Sequence, residues 1–172
     1  MSQTNIILTG FMGSGKSTVG RALAARLGAT LIDTDQVIEQ RTNCRISEIF
    51  ARQGEAAFRL MEADLARELA ARHDLVIATG GGFFTNQENI SALQQSGRIF
   101  CLTATPQDIL NRVKKQGQIR PLLQQSNPLE QINQLLRERE SVYRQFPQIP
   151  TSGQTIDQVV DTIINLMTSD SY

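Results

Sequence analysis

Gly10-Phe11-Met12-Gly13-Ser14-Gly15-Lys16-Ser17-Thr18 sits between two patterned segments. The apolar Ile6-Ile7-Leu8 precedes it, and Val19, Leu23, Ala24 and Leu27 follow at helical spacing. Strand, glycine loop and helix, in that order, are the context in which G-x-x-x-x-G-K-S becomes a phosphate cradle. Glycines accept positive φ and close backbone approach, so successive N–H groups converge on phosphate oxygens. A helix opening at Lys16 adds its own unpaired N–H groups and positive dipole end. Gly13, Ser14, Gly15, Lys16, Ser17 and Thr18 are therefore the candidate nucleotide-binding residues for ATP. Lys16 supplies a mobile cation for the β and γ phosphates, and the Ser17 hydroxyl is the expected protein ligand of Mg²⁺. The competing reading, a Gly/Ser turn before an ordinary helix, leaves the joint presence of both glycines, the lysine and the serine unexplained.

Outward from this loop, short apolar runs alternate with helical patterns. The runs span 5–9, 30–33, 75–79, 98–102 and, more weakly, 148–151. The helical stretches span 16–27, 36–41, 55–71, 86–94, 106–113, 129–146 and 155–167, with a short additional helix at 46–50 ahead of Gly54. This rhythm predicts an α/β fold: a parallel sheet with helices on both faces, and ligands bound beyond the carboxyl ends of the strands.

A chain of 172 residues predicts one domain. Lys+Arg and Asp+Glu both number 17, a balance that argues against general nucleic-acid or membrane-surface binding. No apolar run approaches the ~20 residues of a spanning helix. Cys44 and Cys101 match no metal or redox spacing, and Cys101, inside Ile99-Phe100-Cys101-Leu102, reads as a core residue. Few thiols and no signal segment predict a reducing, cytoplasmic setting, and small size with even charge predicts a monomer.

The residues that follow each strand carry the remaining chemistry. Leu31-Ile32-Asp33-Thr34-Asp35 hangs two carboxylates over the edge that holds the glycine loop. Asp33 is placed to hold a Mg²⁺-bound water and Asp35 to face an acceptor hydroxyl; the alternative is that one of them simply caps the next helix. Arg59 and Glu62 lie on a helix whose buried stripe is Phe58, Met61, Leu65 and Leu69. They form either a surface ion pair worth a few tenths of a kcal/mol or a guanidinium steered toward an anionic substrate group. The third strand ends in Gly80-Gly81-Gly82, where many P-loop ATPases carry an acid; the run is either a flexible loop or room for a ligand against the main chain. The polar, basic stretch at about 114–127 reads as a mobile lid bringing Arg120 toward the transferring group. Arg139 interrupts the apolar face Ile132, Leu135, Leu136, Val142, Tyr143 and Phe146. A cation there needs an anion, either an internal Asp or Glu or a substrate carboxylate held by a bidentate pair.

Taken together, these motifs resemble the shikimate kinase family. The resemblance covers nearly the whole chain: the glycine loop, Asp33-Thr34-Asp35, Ile49-Phe50, Gly54-Glu55 with Phe58-Arg59 and Glu62, Gly80-Gly81-Gly82, Arg120-Pro121-Leu122-Leu123, and Arg139 with Tyr143. It implies a three-layer α-β-α P-loop fold of the nucleoside-monophosphate-kinase type, with a five-stranded parallel sheet, a mobile lid and a substrate-binding helical region at about 34–62. It also implies transfer of the ATP γ-phosphoryl group to the 3-hydroxyl of shikimate, with Lys16, Asp35 and Arg120 catalytic. The resemblance assigns Asp35, Arg59, Gly81, Gly82 and Arg139 to shikimate, Arg120 to ATP, and Arg112 and Gln154 to the adenine end. Thr42-Asn43 departs from the Thr-Gly often found there. A kinase for another hydroxy acid such as gluconate, or a nucleotide-dependent switch, is the rival reading. Asp35, Arg59 and Arg139 favour a hydroxylated carboxylate, and no Asn-Lys-x-Asp guanine-reading motif is present.

Overall fold

A computed structural model describes residues 4–115 and 127–169. Its first strand, β1 (Asn5–Gly10), is buried along its whole length and lies at the centre of a five-stranded sheet. The others are β2 (Thr30–Asp33), β3 (Leu75–Ala78), β4 (Gly97–Thr103) and β5 (Gln148–Pro150). All neighbours are parallel, in the order β2-β3-β1-β4-β5.

Side-chain alternation along these strands feeds two cores. Ile6 and Leu8 of β1, Val76 of β3, and Phe100 and Leu102 of β4 pack on α1 (Lys16–Leu27) and on the C-terminal helix Ile156–Ser169. The opposite face carries Ile7, Leu75, Ile77, Ile99 and Cys101. It is covered by α2 (Thr34–Thr42), α3 (Ile46–Ala70), α4 (Gln87–Ser96), α5 (Pro106–Lys115) and α6 (Pro128–Tyr143), which makes Ile156–Ser169 α7. Helices on both faces make the expected three layers, and burial on both sides explains why the central strands read as continuous apolar runs. Cys101 is fully buried, and desolvation pushes its thiol up to about 11, as suits a packing residue. No helix among the described residues is long and apolar enough to cross a membrane.

Several boundaries differ from the sequence reading for local reasons. The short helix at 46–50 and the long helix after it are one element, α3, kinked at Gly54 (φ 82°, ψ 169°). The helix expected over 129–146 ends at Tyr143, because Gln148 Nε2 donates to the carbonyls of Tyr143 and Phe146 and turns the chain into β5. α2 begins at Thr34 and is capped after Thr42 by Asn43, whose φ of 50° shows why the departure from glycine is tolerated: Asn is among the few side chains at home in the left-handed region. Of the stretch expected as a lid, Lys114 and Lys115 complete α5 and Asn127 caps α6 by accepting from Glu130 N. The rest of it, with Arg120, lies outside the described residues.

Candidate active site

The glycine loop lies at the carboxyl end of β1 and turns into α1 at Gly15, whose φ of 102° a side chain rarely adopts. Lys16 folds back over the loop, and its Nζ donates to the carbonyls of Gly10 (2.8 Å) and Phe11 (2.9 Å). Ser17 Oγ donates to Asp33 Oδ2 at 2.7 Å. Asp33 thus faces the loop serine, and its other oxygen caps α2, as the capping alternative expects, by accepting from Gln36 N at 3.3 Å. A hydroxyl and a carboxylate meeting at the loop suit Mg²⁺, which keeps several waters and completes its shell with phosphate oxygens. Among the described residues no group of three or more His, Cys, Asp and Glu offers an all-protein cage.

A cleft opens beside this loop, lined by Met12, Gly13, Lys16, Ser17, Asp33, Asp35, Thr79, Gly80 and Gly81, among others. Its far wall is the glycine run after β3, and each glycine admits one of the predicted substrate residues. A Cβ built at Gly80 would collide with Asp35 Oδ1. At Gly81 it would lie 3.4 Å from Arg139 Nη1 and 3.5 Å from Met12 N, and at Gly82 it would lie 2.7 Å from Arg59 Nη2. Asp35 from α2, Arg59 from α3 and Arg139 from α6 thus converge on three successive residues next to the phosphate loop. The flexible-loop reading of the run does not hold: Gly80 N donates to the buried Thr34 hydroxyl at 2.9 Å, and Gly81 O accepts from two side chains.

The Arg59–Glu62 pair is not a surface pair. Arg59 Nη1 donates to Glu62 Oε2 at 2.6 Å, and Glu62 is 1% exposed. Glu55, which the sequence shows only as part of the family pattern and without a role, accepts from Arg59 Nη2 at 2.8 Å and holds the other side of the guanidinium. Burial pushes the Glu62 carboxyl up to about 7, against the pull of Arg59, with the Asp35 and Glu55 charges adding to the rise. Between the ordinary carboxylate value and that pH, the folded chain holds a proton that the unfolded chain has lost. This group's contribution to stability is therefore fully present below the ordinary value and is lost as pH rises to about 7. Glu62→Gln should remove the effect. Between about pH 5 and about 7, the natural chain should lose stability relative to the variant by up to ~1.4 kcal/mol per pH unit. Urea titrations across that range test this, and identical pH slopes for the two proteins would count against it.

Arg139 makes no ion pair with an Asp or Glu among the described residues. Among the described residues its partners include the Gly81 carbonyl, at 2.9 Å from Nη1, the Phe11 ring, whose centroid lies 5.4 Å from the guanidinium carbon, and the Tyr143 phenol. That leaves the anionic-ligand alternative standing.

The residues expected at the adenine end are placed less directly. Arg112 Nη1 donates to Gly13 O (3.1 Å) and Thr151 Oγ1 (2.9 Å), and Nη2 donates to Thr151 O (3.2 Å). Thr151 in turn donates to Ser14 O, so α5, the phosphate loop and the segment after β5 are tied together. Gln154 is exposed. Sequence reasoning missed Thr34, Glu55, Tyr143 and Thr151 as supporting groups. Thr34 was the most accessible of them, lying between two singled-out aspartates; Thr151 carried no local signal.

A parallel sheet with a phosphate loop after its central strand, and an acid and two arginines gathered beside it, define a P-loop kinase acting on a small anionic acceptor. The shikimate kinase family model matches residues 12–168. The chain is 45% identical to the shikimate kinase of Pelotomaculum thermopropionicum, over 98% of each chain. It is 44% identical to a shikimate kinase of Thermus thermophilus, over 94% of this chain and 88% of the relative. A solved shikimate kinase from Acinetobacter baumannii, in complex with shikimate, superposes with a TM-score of 0.91 at 37% identity, covering 98% of this chain and 95% of that one. The chain belongs to the shikimate kinase family.

Proposed function

We propose that this chain transfers the γ-phosphoryl group of ATP to the 3-hydroxyl of shikimate, releasing shikimate 3-phosphate and ADP. Family membership makes it an ATP-dependent small-molecule kinase. The observation that carries the choice of acceptor is the glycine run, which seats one carboxylate and two guanidinium groups beside the phosphate loop. A hydroxyl needs the first, and a substrate carboxylate needs the second.

In this reading Ser17 and, through water, Asp33 hold Mg²⁺. The bound ion screens charge on the β and γ phosphates. Lys16 exchanges its carbonyl partners for phosphate oxygens. Asp35 orients the acceptor hydroxyl and takes its proton as the new O–P bond forms and the bond to the leaving oxygen breaks. Because such transition states are loose, early deprotonation is not required, and positioning is a large share of the Asp35 role. Arg59, steered by Glu55 and Glu62, and Arg139, lying over Phe11, hold the carboxylate. Arg120 adds positive charge at the phosphates, and Arg112 and Gln154 border the adenine. The reading also takes the protein to be a cytoplasmic monomer, which size-exclusion chromatography would test in its second part.

The decisive experiment is a coupled ADP-release assay with ATP, Mg²⁺ and a panel of acceptors. Shikimate should be used far better than gluconate or nucleosides, and preference for another acceptor would overturn the assignment. Arg139→Lys keeps the charge and loses the fork. Its shikimate dissociation constant should rise roughly 10- to 100-fold, the equivalent of one charged hydrogen bond. Calorimetric titration checks this, and an unchanged constant would remove Arg139 from the carboxylate site.

A further inference from the structure

The Gly81 carbonyl accepts two hydrogen bonds from one helix. Arg139 Nη1 and Tyr143 Oη each lie 2.9 Å away, donated from residues one turn apart on α6. A carbonyl oxygen has two lone pairs, so both donors are accommodated at once. Their surroundings differ. Tyr143 is buried, and burial pushes its phenol above the ordinary value, so it remains a hydroxyl donor at neutral pH. Arg139 is only half-buried, with Phe11 on one side and Gly81 of the cleft lining beside it. One donor is fixed by packing; the other belongs to the residue that the proposed function turns toward a substrate carboxylate.

We propose that Tyr143 is a positioning residue for the substrate-carboxylate clamp: its hydroxyl keeps the Gly81 carbonyl satisfied, which frees Arg139 Nη1 for a bound carboxylate. The inference rests on the functional reading above. Without the phenol, Arg139 becomes the carbonyl's only side-chain donor among the described residues. Turning it to a ligand would strand a main-chain acceptor in the wall of the cleft, and a stranded acceptor costs free energy that the new ion pair must first offset. The ring of Tyr143 packs in the core, so the hydroxyl can be removed while the volume is nearly kept.

Tyr143→Phe should raise the KM for shikimate about 10-fold, the scale of one stranded carbonyl. The value of kcat and the KM for ATP should stay within about twofold, because the hydroxyl removed donates to the Gly81 carbonyl. With the carboxamide analogue of shikimate, which lacks the charge that draws Arg139 away, the difference between the two proteins should vanish. In an Arg139→Ala background, Tyr143→Phe should add nothing further. A purely structural role would instead move both KM values, or kcat, or act equally on the acid and the amide, and any of these results overturns the proposal. Should the Phe variant not fold, the natural ring can be probed instead. The chain has two tyrosines, so 3-fluorotyrosine labelling of a Tyr172→Phe protein gives a single fluorine resonance, from position 143. It should shift on adding shikimate and not on adding ATP; an unmoved signal overturns the proposal. If the natural chain turns over shikimate while these expectations fail, only the Tyr143 inference falls. If it does not use shikimate at all, both fall.

Discussion

Asp35→Asn should lower kcat for shikimate phosphorylation by about three orders of magnitude, within the range for removing a positioned acid–base group, while ATP binding is nearly unchanged. The substitution keeps the size of the side chain and its place in the first turn of α2. It removes the negative charge and the proton-accepting oxygen that lie against Gly80 at the cleft wall. Lys16 Nζ donates to the Gly10 and Phe11 carbonyls, which hold it over the loop. Single-turnover measurements would isolate the chemical step, and a nucleotide titration would check ATP affinity. Turnover within a few-fold of the natural chain would show that Asp35 has no part in the reaction.

The second large effect is expected from a residue with no side chain. In Gly80→Ala the new methyl would occupy the space now filled by Asp35 Oδ1, with Asp35 Cγ 3.2 Å away and Glu62 Oε1 3.4 Å away. The fold has an inexpensive escape, because the carboxylate end of a short side chain can swing aside. Chemistry has none, because the displaced carboxylate is the proposed acceptor-orienting group. The melting temperature should fall by only a few degrees, the scale of about 1 kcal/mol in a domain of this size, while kcat falls at least about 100-fold. The losses of Gly80→Ala and Asp35→Asn should not multiply in the double variant, since both act through one carboxylate. Independent, multiplying losses, or a Gly80→Ala enzyme of nearly normal rate, would refute the view that this glycine exists to admit Asp35.

The two predictions differ in how visible their basis was. Asp35 was singled out from the sequence because it follows a strand, two residues from a second carboxylate and downstream of a phosphate loop. The glycine run reads in sequence as space for a ligand against the main chain, with Gly81 and Gly82 given to shikimate by the resemblance, and with no link to the neighbouring side chains. That its three positions answer one each to Asp35, Arg59 and Arg139 depends on how α2, α3 and α6 cross the ends of β3 and β1. Burial was the other blind spot. Arg59 and Glu62 at i and i+3 look the same in sequence whether they lie in solvent or under another layer. Only the packed structure makes Glu62 a 1% exposed carboxyl, pushed up to about 7 by burial, with one oxygen that has no hydrogen-bond partner among the described residues.

Local chemistry accounts for what the residues alone could specify. Nine consecutive residues, with the strand before and the helix after, contain every group a phosphate cradle requires, so no distant contact is needed to recognise it. The βα alternation likewise dictates a parallel sheet whose strand ends face one cleft. The acceptor site is different in kind. Its acid and its two guanidinium groups come from three helices, and Arg139 reaches Gly81 across 58 positions of chain. Which charges meet, which are stripped of water and which are shared by one carbonyl depends on how the layers pack, because desolvation and hydrogen bonding belong to a group's surroundings rather than to its residue type.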